Sequence, residues 1–166
     1  MERLIEMSRS MTLIGSCALI LAIAWGEGAV AATTSKQWAP LDRAALINLY
    51  AGKTWKWKNG AAYFAPYGHF KAWSRSKNQL SEGLGTWEAG DNGVMCFDAS
   101  WRTVPLKPED ASAAAVKTCF EHEGRRSAVA QRKLPNGIWY FFKHSKPSKA
   151  DEVFKLQRGD HIRLAS

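Results

Sequence analysis

The chain has 166 residues, 46% of them hydrophobic, with 23 Lys and Arg against 15 Asp and Glu and a formal charge of +8. That length predicts one domain, and a chain of this size buries on the order of two-thirds of its unfolded surface, enough for a real core. The positive field favours anionic partners such as acidic polysaccharide or lipid headgroups.

Arg3 and Arg9 precede a nearly unbroken apolar stretch from Met11 to Ala24, and Ala29-Val30-Ala31 offers the small residues at which a signal peptidase cuts. Residues 1–31 therefore read as a cleavable secretory signal, with cleavage after Ala31 and a periplasmic or secreted mature chain. The apolar stretch is shorter than the roughly 20 residues a membrane-spanning helix needs. Glu2 and Glu6 in the charged region also fit a start at Met7. Ile14-Gly15-Ser16-Cys17 resembles a lipoprotein cleavage box, but the apolar run continues past Cys17. The expected mature domain, residues 32–166, keeps 21 basic and 12 acidic residues, a balance of about +9. Export makes nucleic acid the least favoured of the anionic partners.

In PLDRAALINLYAGK, apolar residues at 41, 45, 46 and 49 fall at helical spacing between Pro40 and Gly52. This predicts one short helix at about 41–51. No other stretch predicts a long helix, although PEDASAAAVK after Pro105 fits a turn or two.

The rest is strand and turn. Asn59-Gly60 is a strong two-residue hairpin signal. Pro66-Tyr67-Gly68, Asp91-Asn92-Gly93 and Pro135-Asn136-Gly137 share another grammar, a three-residue loop that ends on a left-handed glycine. The predicted strands are 53–58, 61–65, 69–75, 84–90, 94–101, 115–122, 127–134, 138–143, 152–157 and 161–164. Many short strands in sequence order predict a mainly β fold. The expected form is an antiparallel up-and-down meander closed into a small lipocalin-like barrel or a strongly curled sheet, with the one helix before it.

Side chains alternate across a strand, so the turns sort KTWKWKNGAAYFAPYGHFKAWSR onto two faces. With Asn59-Gly60 as the turn, Lys56 faces Tyr63 and Trp55 faces Phe64; with 66–68 as the next, Phe64 faces Phe70. One face holds Trp55, Trp57, Ala62, Phe64, Phe70 and Ala72. The other holds Lys56, Lys58, Tyr63, His69, Lys71, Trp73 and Arg75. The turn at 91–93 likewise sets Trp87 opposite Phe97, Glu88 opposite Cys96 and Thr86 opposite Asp98. In 127–143, Ile138, Tyr140 and Phe142 compete with Trp139 and Phe141 for the interior, and the pattern leaves both assignments open.

Once Cys17 leaves with the leader, Cys96 and Cys119 remain, and two cysteines in an oxidising compartment allow one pairing. Both point away from their aromatic neighbours Phe97 and Phe120, so the bridge is expected on the outer face. Closing this loop is expected to stabilise the fold by roughly 3 kcal/mol. The close CxxC spacing of redox and metal sites is absent.

GKTWKWKNGAAYFAPYGHFKAWS, EGLGTWEAGDNGVMCFDASWR, KTCF at 117–120 and DEVFKLQRGD together resemble the domain-of-unknown-function family 995 (DUF995) over roughly residues 41–160. The resemblance implies a small exported alphaproteobacterial protein and brings no activity or catalytic residue with it. More loosely, Gly85-Thr86-Trp87 is similar to the Gly-x-Trp of lipocalins, an analogy for barrel architecture alone.

Two sets of residues are candidates for function. The basic–aromatic face offers Lys56, Tyr63, Lys71, Trp73 and Arg75, where rings stack a sugar and cations hold its carboxylates; the plainer reading is a solvated outer face. The interior set is Trp55, Trp57, Phe64, Phe70, Trp87, Phe97 and Phe120. It reads first as packing bulk, with the lining of an apolar ligand pocket as the alternative. No two histidines share metal-ligand spacing, and no nucleophile elbow or phosphate loop occurs, so no catalytic residue, metal or cofactor is expected. Glu88 and Asp98 share a face and read as a surface pair. Arg158-Gly159-Asp160 sits where a turn is needed. The expectation is thus a non-catalytic exported protein that binds an anionic or amphipathic envelope component. The alternatives are a carrier of a small apolar ligand and, less favoured, a hydrolase of envelope polymer.

Overall fold

The computed structural model describes residues 36–105 and 114–164. The expected leader and most of the PEDASAAAVK stretch lie outside them. The elements are β1 (Ala39–Pro40), α1 (Arg43–Tyr50), β2 (Lys53–Trp57), β3 (Gly60–Phe64), β4 (His69–Ser76) and β5 (Gln79–Ala89). They continue with β6 (Val94–Val104), β7 (Val116–Arg125), β8 (Ala128–Lys133), β9 (Tyr140–Lys143) and β10 (Leu156–Arg158). Strands β2 to β9 pair antiparallel in chain order, and β10 adds to the free side of β2. The short β1 pairs with β7 at Gly124 and Glu123, beyond the point where β6 leaves it. The sheet is a strongly curled half-barrel whose hydrogen-bonded order ends at β9 on one side and β10 on the other. A 3-10 turn at Glu152–Lys155 lies between these edges, and Glu152 accepts a hydrogen bond from Trp55 Nε1 at 3.2 Å.

Helix α1 begins at Asp42, whose carboxylate accepts the Ala45 N–H at 2.7 Å, the N-cap role an aspartate favours. It ends where Lys53 Nζ donates to the Asn48 and Leu49 carbonyls, so a cation covers the negative end of the helix. Its buried residues, Leu46 and Tyr50, enter the concave side of the sheet beside Phe64 and Phe142.

Two of the expected hairpins form as their glycines demand, with Gly68 at φ 87° and Gly93 at φ 80°. They set Phe64 opposite Phe70 and Trp87 opposite Phe97. The first hairpin differs in register. Trp57 pairs with Gly60, so Lys58 and Asn59 make the turn; Lys56 faces Ala61 and Trp55 faces Ala62. Gly60 serves close approach, since a Cβ there would lie 2.5 Å from the Trp57 indole. A shift of two residues leaves every side chain on its expected face.

Other boundaries move further. β5 starts at Gln79 because Lys77, at φ 50°, turns the chain between Ser76 and Gln79 without a glycine to signal it. Pro135-Asn136-Gly137 is not a three-residue hairpin. Gly137 donates its N–H to Lys133 O at 2.7 Å, and a Cβ there would meet that oxygen at 2.3 Å, so this glycine too serves close approach. β9 then begins only at Tyr140. Residues 152–155 form the 3-10 turn in place of a strand, and no strand forms at 161–164. In the open hairpin Phe142 and Tyr140 turn inward while Trp139 and Phe141 stay outside, with a bulge opposite Val129/Ala130. Phe142 is fully buried and Ile138 is 85% exposed.

Cys96 and Cys119 are direct partners on β6 and β7 and form the disulfide, on the outer face. Replacing both with alanine should cost roughly 3 kcal/mol in the chain-entropy account. Urea unfolding of the two proteins under non-reducing conditions measures it; an unchanged midpoint would show that the cross-strand pairing holds without the bond.

Candidate functional site

The concave face is built by rows of side chains that run across the strands. One row reads Trp55, Ala62, Ala72, Gly83, Trp101, on β2 to β6 in turn. Two indoles stand at its ends and three small residues between them. The next row towards the open end is Trp57, Gly60, Ser74, Ser81, Thr103. The small residues cannot fill the space that the curl encloses, and a cavity of about 430 Å³ remains. That falls within the roughly 300–1,000 Å³ of small-molecule sites.

Trp55, Phe64, Phe70, Phe97 and Phe120 of the expected interior set line this cavity, with Trp57 at its mouth, 38% exposed. Trp87 is buried behind it, edge-on to Phe64, and its indole N–H donates to Ala65 O at 2.8 Å. Phe70 and Phe97 stack at 4.4 Å between centroids. The interior is thus not simply packing bulk: its rings form the wall of a space. Sequence reading missed Ser74, Trp101, Thr118 and Lys133, which also line it. Parity would have found the first three, since each stands an even number of positions along its strand from Phe70, Phe97 or Phe120.

At the helix end of the same face lies a polar cluster, buried at Tyr50, His122 and Gln131 and open to water at Tyr140. His122, Gln131 and Tyr140 are successive cross-strand partners on β7, β8 and β9. Tyr50 joins them from α1, with its hydroxyl 2.8 Å from His122 Nε2 and accepting from Gln131 Nε2 at 2.8 Å. His122 Nδ1 lies 3.1 Å from Gly93 O, and Tyr140 donates to Gln131 Oε1. Burial pushes the Tyr50 phenol well above its ordinary range and, with the Glu152 carboxylate, pushes Tyr140 up to about 12. Both therefore keep their protons at neutral pH. A Tyr50 donor then sets Nε2 of His122 as acceptor and Nδ1–H as donor to Gly93. Among the described residues no buried side-chain nitrogen or oxygen lacks a partner. The cluster ties helix, β7, β8 and β9 into one unit, and it has no place in the lining of the cavity.

The other face is charged. Lys56, Tyr63, Lys71, Trp73 and Arg75 share it, but not as a ring around Tyr63: Lys56 lies opposite Ala61, and Thr54 opposite Tyr63. Lys71 pairs with Asp160 at 2.5 Å and lies 5.9 Å from the centre of the Tyr63 ring. Asp160 comes from the Arg158-Gly159-Asp160 turn, in which Gly159 adopts φ 92°. Trp73 has Glu82 as its neighbour, whose buried carboxylate accepts from Arg102 at 3.0 Å. Glu88 pairs with Lys117 at 2.9 Å in water, and Asp98 lies opposite that lysine. His69 is exposed, and His144 stacks on Phe141 and bonds Asp151.

The protein-family model described as "Protein of unknown function (DUF995)" matches residues 18–162. The chain belongs to that family. No curated protein and no solved structure matches it. The lipocalin likeness of Gly85-Thr86-Trp87 therefore stays an analogy of three residues, all on β5. Among the described residues of this DUF995 member, no helix is long and apolar enough to cross a membrane.

His122 gives the cluster a measurable signature. Burial lowers its pKa from 6.5 to about 4. Between those values the unfolded chain binds a proton that the folded chain refuses, so stability falls as the pH drops through that window. The loss should be roughly 2 kcal/mol at pH 5 relative to pH 7. In His122→Gln this part of the slope should vanish. Urea unfolding of both proteins at the two pH values checks it, and equal losses would show that His122 does not carry the effect.

Proposed function

We propose that this DUF995 protein is a non-catalytic binding protein or carrier, acting in the cell envelope or outside the cell, for a small and largely apolar molecule held in the concave pocket. The observation that carries this reading is the cavity of about 430 Å³ walled by tryptophan and phenylalanine. Filling it would remove apolar surface from water on both sides, at roughly 25 cal/mol per Å² before the costs of association are met. The rings are held by the cross-strand rows, so little order would be lost on binding.

A second reading places an anionic envelope polymer on the outer face. It is supported by Lys56, Lys58 and Arg75, which have no ion-pair partner among the described residues. Against it stands Lys71, already engaged by Asp160. The hydrolase reading draws least support: Glu88 and Asp98 lie in water beside Lys117, and His122 is committed to Tyr50 and Gly93.

The pocket reading is tested with N-phenyl-1-naphthylamine, a neutral apolar fluorophore. It should bind the wild-type protein at one site with a Kd of about micromolar order. Thr118→Trp, which places an indole in the cavity from its half-exposed rim, should weaken binding at least about tenfold while leaving the thermal midpoint within a few degrees. Absence of saturable binding, or binding indifferent to Thr118→Trp, would overturn the reading.

A further inference from the structure

We infer that the molecule this pocket takes is a single-chain amphiphile with an anionic head group, and that Lys133 receives the head. This rests on the pocket reading above and names its ligand class. Lys133 is the last residue of β8 and pairs with Phe120, so it occupies an inward position on the concave face. It shares the pocket lining with its partner Phe120 and with Trp55 and Trp57, of which Trp55 packs edge-on to Phe120. Lysine is seldom found on the inner face of a sheet. Here the apolar stem can lie along the aromatic wall while the ammonium reaches the open end, where the residue is exposed.

The surrounding charges make this lysine distinctive. Arg132, its neighbour, is paired with Glu121, Lys117 with Glu88, Lys155 with Glu152 and Lys71 with Asp160. Among the described residues Lys133 has no ion pair and no acidic side chain lines the pocket. The space therefore has an aromatic interior and, at its rim, a cation that no described acidic side chain compensates, with Ser74 and Thr118 also in the lining. A hydrocarbon without a head would leave the ammonium unused, and a cationic amphiphile would be repelled by it. An anionic head paired with an ammonium at the edge of a low-dielectric space gains a charge-assisted hydrogen bond without burying either charge fully. The volume is that of a drug-sized ligand, which leaves room for one chain.

The experiment is a tryptophan-fluorescence titration with dodecanoate, dodecyl sulfate, dodecanol and dodecyltrimethylammonium. Each is kept below its aggregation threshold, in 0.15 M salt so that the general surface field is screened within about 8 Å. The wild type should bind both anions about tenfold more tightly than the alcohol, the gain expected of one charge-assisted contact, and the ammonium least. A preference for one anion over the other would assign the head as carboxylate or sulfate. Lys133→Met should abolish the discrimination while keeping dodecanol affinity, and Lys133→Glu should move the preference to the cation. Lys149→Met, at an exposed cation outside the pocket lining, should change nothing. Equal affinity for acid and alcohol, or discrimination that survives Lys133→Met, would overturn this inference and leave the pocket reading standing. Failure of all four to bind the wild type would remove both.

Discussion

Across the middle of the sheet, Trp55 and Trp101 face each other over Ala62, Ala72 and Gly83, and the shape of the molecule follows from that row. A pleated sheet can bend towards one face only where the side chains on that face are short enough to approach each other. Small residues in the centre and large ones at the margins suit this, as in tapered barrel interiors. The indole of Trp101 lies so close over Gly83 that a Cβ there would be a tight 3.0 Å from it, and at Gly60 a Cβ would meet the Trp57 indole at 2.5 Å. Bulk is displaced from the centre of the sheet to its sides. The bend and the cavity are two consequences of one pattern.

The opposite end of the concave face is handled by different means. Helix α1 inserts Tyr50 where the sheet would otherwise need an apolar plug, and the phenol finds His122 and Gln131. Removing one member of such a cluster strands the others, so it specifies the position of the helix more sharply than an apolar contact of equal size. Around it Phe64, Phe142 and Trp55 pack tilted against Tyr50. One end of the half-barrel is thereby filled and rigid, and the other keeps its space. A ligand site on a rigid support fits that division.

The convex face carries charged side chains, several of them paired in water, such as Lys71 with Asp160 and Lys117 with Glu88. Such pairs contribute little to stability, typically below about 1 kcal/mol each. Two arginines also lie over rings: Arg125 is 4.8 Å from the Trp38 ring centre, and Arg132, paired with Glu121, is 4.9 Å from that of Trp139. Arg132 covers a ring that the β8–β9 hairpin leaves outside, and Arg125 covers Trp38, just ahead of β1. Guanidinium groups stack on aromatic faces readily, so exposed indoles there need no burial in the core.

Much of this was legible in the chain itself. The period of two along each strand placed Trp55, Trp57, Phe64, Phe70, Phe97 and Phe120 together and sent Lys56, Tyr63, Lys71, Trp73 and Arg75 to the other side. The same parity put Cys96 and Cys119 outside, and the helix and two of the glycine turns were local signals too. Tertiary structure alone decided the rest. A turn such as Lys77-Asn78, with no glycine, is stabilised by the strands it joins, and the β8–β9 hairpin was settled by burial of Phe142 and by Tyr140 reaching Gln131. The meeting of Tyr50 with His122 and the inward station of Lys133 depend on registers accumulated over several strands. Whether the rings would fill the interior or surround a space depended on which residue lay beside which across five strands. Parity along one strand is a property of neighbours in sequence; volume enclosed by a sheet is a property of all its strands at once.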